Sequence, residues 1–179
     1  MALTATMYHL RIDLSDVDRG VYEKLDLRLA RHPSEAARYL FTRVIAYCLC
    51  YEEGIAFTRG LAASDEPAIW AKSPDGRLKL WVDVGTPAAL RLHKASKAAE
   101  RVVVFTHHDP ELLRRAAGAQ AIHRAERIEV YALGAPLLDA LDGATGRDAR
   151  WELVRTGGQL YVTVGGQTVG GEVTTHALT

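Results

Sequence analysis

The sequence has few cysteines and few aromatic residues. It contains two cysteines, three tryptophans and 7% aromatic residues in 179 positions. Two cysteines cannot build the disulfide network on which many small secreted domains depend. Cys48 and Cys50 lie in a stretch with helical periodicity, where residues two apart point to nearly opposite sides, so they cannot bond to each other without breaking the helix. We expect two reduced, buried thiols with no catalytic or metal-binding role.

Net charge and long apolar runs are also lacking. The 22 basic and 22 acidic residues give a formal net charge of zero at pH 7, so any contact with nucleic acid has to be local. The longest apolar-rich stretch, residues 39–51, is interrupted by Arg43 and is shorter than the roughly 20 residues that span a membrane. The first residues lack the basic and apolar regions of a secretory leader. We therefore expect a cytoplasmic protein without membrane contact.

The overall composition is that of a globular protein. Apolar residues make up 48% of the chain and charged residues 25%, which excludes a disordered or fibrous chain. A chain of this length buries about 70% of the surface that its unfolded form exposes. No internal repeat, low-complexity tract or linker interrupts it. The sequence predicts a single domain covering residues 1–179.

The first third of the chain shows two kinds of periodicity. Apolar and polar residues alternate across residues 3–14 and 21–29, with a turn sequence at 16–20, which predicts an antiparallel hairpin. Pro33 and Ser34 end the second strand and start a helix. Across residues 35–51 apolar side chains recur at intervals of three and four, which predicts the longest helix.

The rest of the chain alternates between strands and helices before it ends in strands alone. After a short strand at 55–58, the patterns predict strands at 78–84, 102–106 and 128–133 and helices at 88–100, 111–123 and 136–141. Such alternation implies right-handed crossovers and a locally parallel sheet. Turns at 156–158 and 165–166 predict a terminal antiparallel meander. The fold class is therefore α/β of a mixed α+β kind, with a mixed sheet flanked by helices.

Asp83 is the first candidate for a functional residue. It lies at the end of the predicted strand 78–84, and Thr86 and Pro87 are placed to cap and open the next helix. Ligand crevices form at this edge of parallel sheets. The alternative is that Asp83 only complements the positive end of that helix.

Two histidines follow the next predicted parallel strand. His107 and His108 would lie along the same edge as Asp83, but adjacent side chains point in different directions. Asp109 before Pro110 is typical of an ordinary helix start, so a structural role is favoured for this segment. A zinc hydrolase built on the two histidines stays as a minor alternative, although the chain has no helical His-x-x-x-His pair.

A third acidic segment precedes an aromatic residue. Asp65 and Glu66 stand before Pro67, and the simplest interpretation is a short helix capped by Ser64 or Asp65, with Trp70 packed on the core.

Basic residues follow Asp83 on the predicted helix 88–100. The buried stripe of this helix is expected to contain Ala88, Leu92, Ala95 and Ala99. Arg91 then lies at the edge of this buried stripe, and Lys94 lies farther from it. The simplest interpretation is a basic face exposed to solvent. The rise of the helix makes Arg91 the cation nearest to Asp83.

Several segments, taken together in their order, closely resemble the YaeQ family of bacterial proteins. The resemblance spans most of the chain and its length. The segments are residues 1–8, 30–35 (ARHPSE), 57–61 (FTRGL), 65–67 with Trp70, 80–85 (LWVDVG), Pro87, Arg91, Lys94 with Ala95, and 105–106.

This resemblance implies a fold similar to the PD-(D/E)XK nuclease superfamily, with a restriction-endonuclease-like core. It implies that Asp65 and Glu66 correspond to the first acidic element and Asp83 to the second, around Mg²⁺ or Mn²⁺. The position two residues after Asp83 holds Gly85 where the superfamily pattern has lysine. Lys94 is then the displaced catalytic lysine, and Glu35 would supply a further carboxylate to the metal.

Besides the zinc hydrolase, two functions remain open. The leading one is a metal-dependent nuclease or other phosphodiesterase with an unassigned nucleic-acid substrate. In it a metal-bound water attacks, Lys94 stabilises the developing charge, and Arg91 and Arg59 bind the substrate. The other is a non-catalytic nuclease-like scaffold that binds a protein or a nucleic acid, which the missing lysine and the zero net charge favour.

Overall fold

The computed structural model describes residues 4–59 and 65–179, and these form a mixed α+β fold with ten strands and four α-helices. In that part of the chain, every helix is too short or too polar to cross a membrane.

The strands and helices follow one another in a simple order. The first part contains β1 (Thr6–Asp16), β2 (Val21–Arg31), α1 (Ala37–Leu49), β3 (Ile55–Phe57), β4 (Ile69–Lys72) and β5 (Leu78–Val84). The middle contains α2 (Ala89–Ala98), β6 (Arg101–Thr106), α3 (Pro110–Ala117), a 3₁₀ turn (Ala125–Arg127) and β7 (Glu129–Leu133). The last part contains α4 (Ala135–Ala144), β8 (Asp148–Thr156), β9 (Gln159–Val164) and β10 (Gln167–His176).

The described residues divide into two compact units. The first unit contains residues 4–41 and 134–173, and the second contains residues 42–59, 65–133 and 174–179. The boundary falls inside α1, after Phe41.

The first unit contains the sheet β2-β1-β8-β9-β10. The β1–β2 hairpin is antiparallel, β1 and β8 are parallel, and the remaining pairs are antiparallel. Trp151 on β8 is completely buried, stacks on Phe41 with ring centroids 6.0 Å apart, and donates its indole N–H to Thr145 at 3.2 Å. Large apolar side chains therefore hold this unit together at its centre.

The second unit contains the sheet β7-β6-β5-β4-β3. Strands β5, β6 and β7 are parallel, whereas β4 pairs antiparallel with both β5 and β3. One face of the sheet packs against α2 and α3 in a single apolar cluster, formed by Trp81, Leu92, Ala95, Val102, Val104, Leu113, Ala117, Ile128, Val130 and Leu178. The parallel strands thus direct one face of β5 towards α2.

Most predicted elements are present with shifted ends. The hairpin, the long helix, the parallel strands and the terminal meander are confirmed, and α1 is two residues shorter at each end than the predicted helix 35–51. The helix predicted over 111–123 ends at Ala117, where Gly118 caps it, and a 3₁₀ turn follows. Cys48 and Cys50 are fully buried and are not joined in a disulfide, and burial raises the pKa of the Cys48 thiol.

Two local predictions are wrong. Residues 69–72 form the strand β4 and not a helix, because the β-branched and aromatic pair Ile69 and Trp70 joins the antiparallel edge of β5. The predicted cap Ser64 lies outside the described residues. The helix after Asp83 begins at Ala89 with Ala88 as an N-cap that makes no side-chain hydrogen bond, so Thr86 is not its cap.

The buried stripe of α2 also differs from the prediction by one position. Its buried residues are Ala89, Leu92 and Ala95, whereas Ala88 is exposed and Ala99 is only partly buried. The later helix start moves Ala88 out of the helix, so the inward face begins one residue further along the chain.

Candidate functional site

Asp83 lies near the end of β5 on the face that packs against α2. Side chains two apart on a strand point to the same face, so Asp83 shares its side with the buried Trp81. Asp83 as a whole residue is only 3% exposed. A buried carboxylate needs a cation or several hydrogen bonds, because removing its charge from water is expensive.

Arg91 provides that cation. Its Nε donates to Oδ2 of Asp83 and its Nη2 donates to Oδ1, both at 2.9 Å, which is the bidentate arrangement that guanidinium and carboxylate groups favour. The same Nη2 donates to the backbone carbonyl oxygen of Glu66 at 2.6 Å. Arg91 is therefore partly buried in an ion pair, and not on a solvated basic face.

The Glu66 side chain has a different partner. The Arg59 guanidinium donates to Glu66 Oε1 at 3.0 Å and to Oε2 at 3.3 Å, and the Arg59 backbone N–H also donates to Oε2. These hydrogen bonds hold the pKa of the Glu66 carboxyl below its ordinary value. Arg59, proposed as a substrate-binding residue, thus forms an ion pair with a proposed metal ligand.

Asp65 and Lys94 are exposed residues on the wall of one cleft. Its volume is about 440 Å³, and among the described residues it is lined by Asp65, Trp81, Ala88, Leu90, Arg91 and Lys94. The fold therefore gathers four of the seven predicted site residues, namely Asp83, Arg91, Asp65 and Lys94, around the same short stretch of α2.

Glu35 lies in the first unit, immediately before α1. It is 4% exposed, and its Oε1 accepts a hydrogen bond from the backbone N–H of His32 at 3.3 Å. Its own carbonyl oxygen accepts from Arg31 Nε at 3.0 Å. These contacts give Glu35 a structural role at the entry of α1.

The carboxylates predicted to hold Mg²⁺ or Mn²⁺ do not fit that role as they are arranged. Within residues 4–59 and 65–179, no three His, Cys, Asp or Glu side chains are close enough to hold a metal ion. Asp83 faces a guanidinium, and so does the side chain of Glu66. His107 and His108 have ring centroids 4.0 Å apart, and within the same described residues they are not part of a group of three such side chains that could hold zinc.

The backbone conformation explains why the position two residues after Asp83 does not hold a lysine. Gly85 has φ = +98°, a conformation that L side chains rarely adopt. A Cβ atom there would meet open space, so the restriction comes from the backbone and not from crowding. A lysine at this position would need a different turn between β5 and α2.

The apolar residues of the cleft were not predicted from the sequence. Trp81 stands two residues before Asp83, and the period of two along the strand was the signal that could have placed it beside the site. Leu90, which is 51% exposed, is the neighbour of Arg91 on α2. An exposed leucine on a helix carries no sequence signal of its own.

The fold and the site together define an α+β protein with a buried Arg–Asp ion pair near the end of a parallel strand. Residues 1–173 match the family described as YaeQ protein. The chain therefore belongs to the YaeQ family, which confirms the resemblance seen in the sequence.

Individual relatives come from several bacteria. The YaeQ proteins of Escherichia coli (strain K12) and Salmonella typhi are 38% and 37% identical over 108 residues, and each match covers 60% of this chain and 60% of the relative. The crystal structure of YaeQ from Pseudomonas syringae is similar with a TM-score of 0.86 and 31% identity, covering 96% of this chain and 95% of that chain. The YaeQ structure from Xanthomonas axonopodis pv. citri gives a TM-score of 0.88 and 28% identity, covering 96% and 98%.

Proposed function

We propose that this chain is a nuclease-like scaffold that binds a protein or a nucleic acid without cleaving it. The observation that carries the proposal is the bidentate pair between Arg91 and the buried Asp83. A catalytic magnesium ion needs carboxylate oxygens that are free to coordinate it. Here the guanidinium satisfies both oxygens of the central carboxylate.

A PD-(D/E)XK ancestry with a restriction-endonuclease-like core is part of this proposal. It is supported by the parallel strands β5, β6 and β7, with Asp83 near the end of β5 and Lys94 on the following helix. The scaffold would keep this framework while an arginine replaces the metal as the partner of Asp83.

A metal-dependent nuclease remains the second candidate, because Asp65 and Lys94 line one cleft next to the Asp83–Arg91 pair. Metal binding would first have to separate that pair. The free energy needed to separate the pair subtracts from the free energy of metal binding, so the Arg91 guanidinium lowers the affinity of Asp83 for metal.

Cleavage assays separate the two candidates. Wild type, Asp83→Asn, Lys94→Ala and Lys97→Ala are prepared in parallel and incubated with Mn²⁺ and single-stranded, duplex and branched DNA and RNA. We expect no cleavage that depends on Asp83 or Lys94. Cleavage that both site variants lose and Lys97→Ala retains would establish the nuclease instead.

Two further measurements complete the test: thermal unfolding in the presence of metal, and nucleic-acid binding in the absence of metal. We expect Mg²⁺ and Mn²⁺ to change the melting temperatures of wild type and Asp83→Asn equally, because the proposed scaffold has no metal at Asp83. Fluorescence anisotropy with labelled DNA and RNA in EDTA then identifies the partner class. Saturable binding assigns nucleic acid, and its absence at low salt assigns a protein partner.

A further inference from the structure

Strand β2 lies at the end of the sheet of the first unit. It is the first strand in the order β2-β1-β8-β9-β10, and its antiparallel pairing with β1 runs over all 11 residues without a bulge. Within the described part of the chain, no strand pairs with the other side of β2. About half of the backbone N–H and C=O groups of such a strand point away from its neighbour. A long, regular edge without proline is therefore a template for a further strand.

The side chains of β2 alternate between two faces. Its three leucines are buried on the core face, and four side chains are exposed on the opposite face, namely Tyr22, Lys24, Asp26 and Arg28. Lys24 and Arg28 form no ion pair with any described residue. The Asp26 side chain is 65% exposed, although it contacts His9 Nε2 at 2.6 Å. The edge therefore presents charged groups that can still form ion pairs.

The order of these charges fits a second β2 strand that runs in the opposite direction. Opposite residues of an antiparallel pair lie on the same face, so the buried leucines stay on one side of a joined sheet only if the two-fold axis passes through a residue. With the axis at Leu25, Lys24 lies opposite Asp26 of the second copy, and Asp26 lies opposite Lys24. Tyr22 then lies opposite Arg28, where the guanidinium can stack on the ring.

Other registers fit this edge less well. An axis at Asp26 brings its two copies together and places Lys24 opposite Arg28, and an axis at Lys24 brings two lysines together. Like charges directly opposite each other are destabilising. An axis at Leu27 opposes Asp26 to Arg28 but leaves Lys24 opposite Ala30. Charges usually protect an edge strand, but alternating signs protect it only in the registers that bring like charges together.

We propose that β2 pairs with β2 of a second copy of this chain, with Lys24 of each copy opposite Asp26 of the other. The result is a symmetric dimer in which one sheet continues through both first units. The contact involves one strand from each copy, so the dimer belongs to the small and transient class of interfaces. It does not depend on the macromolecular partner of the proposed function.

Sedimentation equilibrium tests the dimer and its charges. Wild type between about 10 µM and 1 mM should show a monomer–dimer equilibrium with a Kd of about 100 µM, as expected for a small interface. Lys24→Asp and Asp26→Lys should each raise the Kd at least about tenfold, because symmetry turns each change into two like-charge contacts. The combined variant exchanges the two charges and should return the Kd to within about threefold of wild type. Lys97→Asp, in the second unit, should dimerise like wild type.

Disulfide trapping tests the register without reversing a charge. Opposite residues of an antiparallel pair have Cα atoms about 4.5–5.5 Å apart, which a disulfide can bridge. Lys24→Cys mixed with Asp26→Cys should therefore form a cross-linked dimer under mild oxidation, and either variant alone should form much less. Cys48 and Cys50 are fully buried and do not compete.

Three results would overturn the proposal. The first is a wild-type protein that remains monomeric at 1 mM, as expected if the edge accepts only a strand of another protein. The second is a combined charge variant that dimerises no better than the single variants. The third is a cross-link that forms as readily with Asp26→Cys alone, or with Asp26→Cys and Arg28→Cys, as with the predicted pair.

Discussion

Arg91 is the ion-pair partner of the buried Asp83 in the second unit. Asp83 has a side chain only 4% exposed, whereas that of Arg91 is 31% exposed. Replacing Arg91 by Met should destabilise the protein by about 3 kcal/mol, because it leaves a buried carboxylate without its cation. Urea unfolding monitored by circular dichroism measures this loss.

The double variant Asp83→Asn/Arg91→Met is the control for that prediction. Removing both charges should recover part of the loss, so the two substitutions should be non-additive by at least about 1 kcal/mol. Additive losses would show that the pair contributes nothing beyond the packing of each side chain.

The site was only partly predictable from the sequence. The sequence separation of Asp83 and Arg91, together with the rise per residue of a helix, was enough to indicate that these two side chains would be neighbours. The partner of Glu66 was not predictable, because its ion pair with Arg59 belongs to no periodic pattern of the sequence. The lack of a metal-ligand cluster among residues 4–59 and 65–179 depends on side-chain directions, which residue types and spacing do not determine.

At the level of elements, the turn before β3 contains a glycine that approaches β4 closely. Gly54 has φ = +86°, and a Cβ atom there would be 2.6 Å from the backbone oxygen of Lys72. Gly54→Ala should therefore cost about 2 kcal/mol or more, from the unfavourable φ and the clash together.

Gly76 is a matched control for Gly54. Its φ is +87°, but a Cβ atom there would meet open space. Gly76→Ala should cost only the conformational part, about 1 kcal/mol. Chemical denaturation of both variants separates strain from crowding, and equal losses would show that the contact with Lys72 does not matter.

Asp18 joins two turns of the first unit. Its carboxylate accepts hydrogen bonds from the backbone N–H groups of Gly157 at 2.7 Å and Gly158 at 3.0 Å, in the turn between β8 and β9. The hydrogen bond from Gly158, followed by that from Gly157 and by the charge of Arg155, lowers the pKa of Asp18. The ionised carboxylate therefore stabilises the folded state.

The pH dependence follows from the sign of this shift. The stabilisation is present above the unfolded pKa of about 3.9 and is lost as the pH falls through the lower folded value. Asp18→Asn should have a lower melting temperature than wild type at pH 7, and the difference between the two melting temperatures should disappear below about pH 4. A gap of constant size between pH 7 and pH 2, measured by thermal scans, would contradict a role for the charge.

Elements with strong periodicity were predictable, and those that depend on tertiary pairing were not. The alternation in β1 and β2 and the apolar run in β6 specify strands by themselves. Strand β4 has only four residues. The segment before it contains a proline, and its sequence is typical of a helix start. Its conformation depends on pairing with β5, so local sequence favoured the wrong element.

At the scale of the whole molecule, the balance of charges governs solubility. The formal net charge is zero at pH 7, and proteins near zero net charge associate most readily. We expect the solubility minimum near pH 7. Lys97→Glu, at an exposed position of α2, should move the minimum to lower pH in a light-scattering series, whereas Lys97→Arg should leave it in place.

The parallel pairing of β1 with β8 has a consequence for synthesis on the ribosome. His9 is paired with Asp148. In the sequence, the two segments of the first unit are separated by most of the residues of the second unit. At about 5 to 20 residues per second, the nascent hairpin waits roughly six to twenty-five seconds for its neighbour. During that interval a two-stranded hairpin is only marginally stable, and β1 is an open edge. Its outward-facing charged residues, among them Arg11 and Asp13, then serve to discourage pairing with other nascent chains.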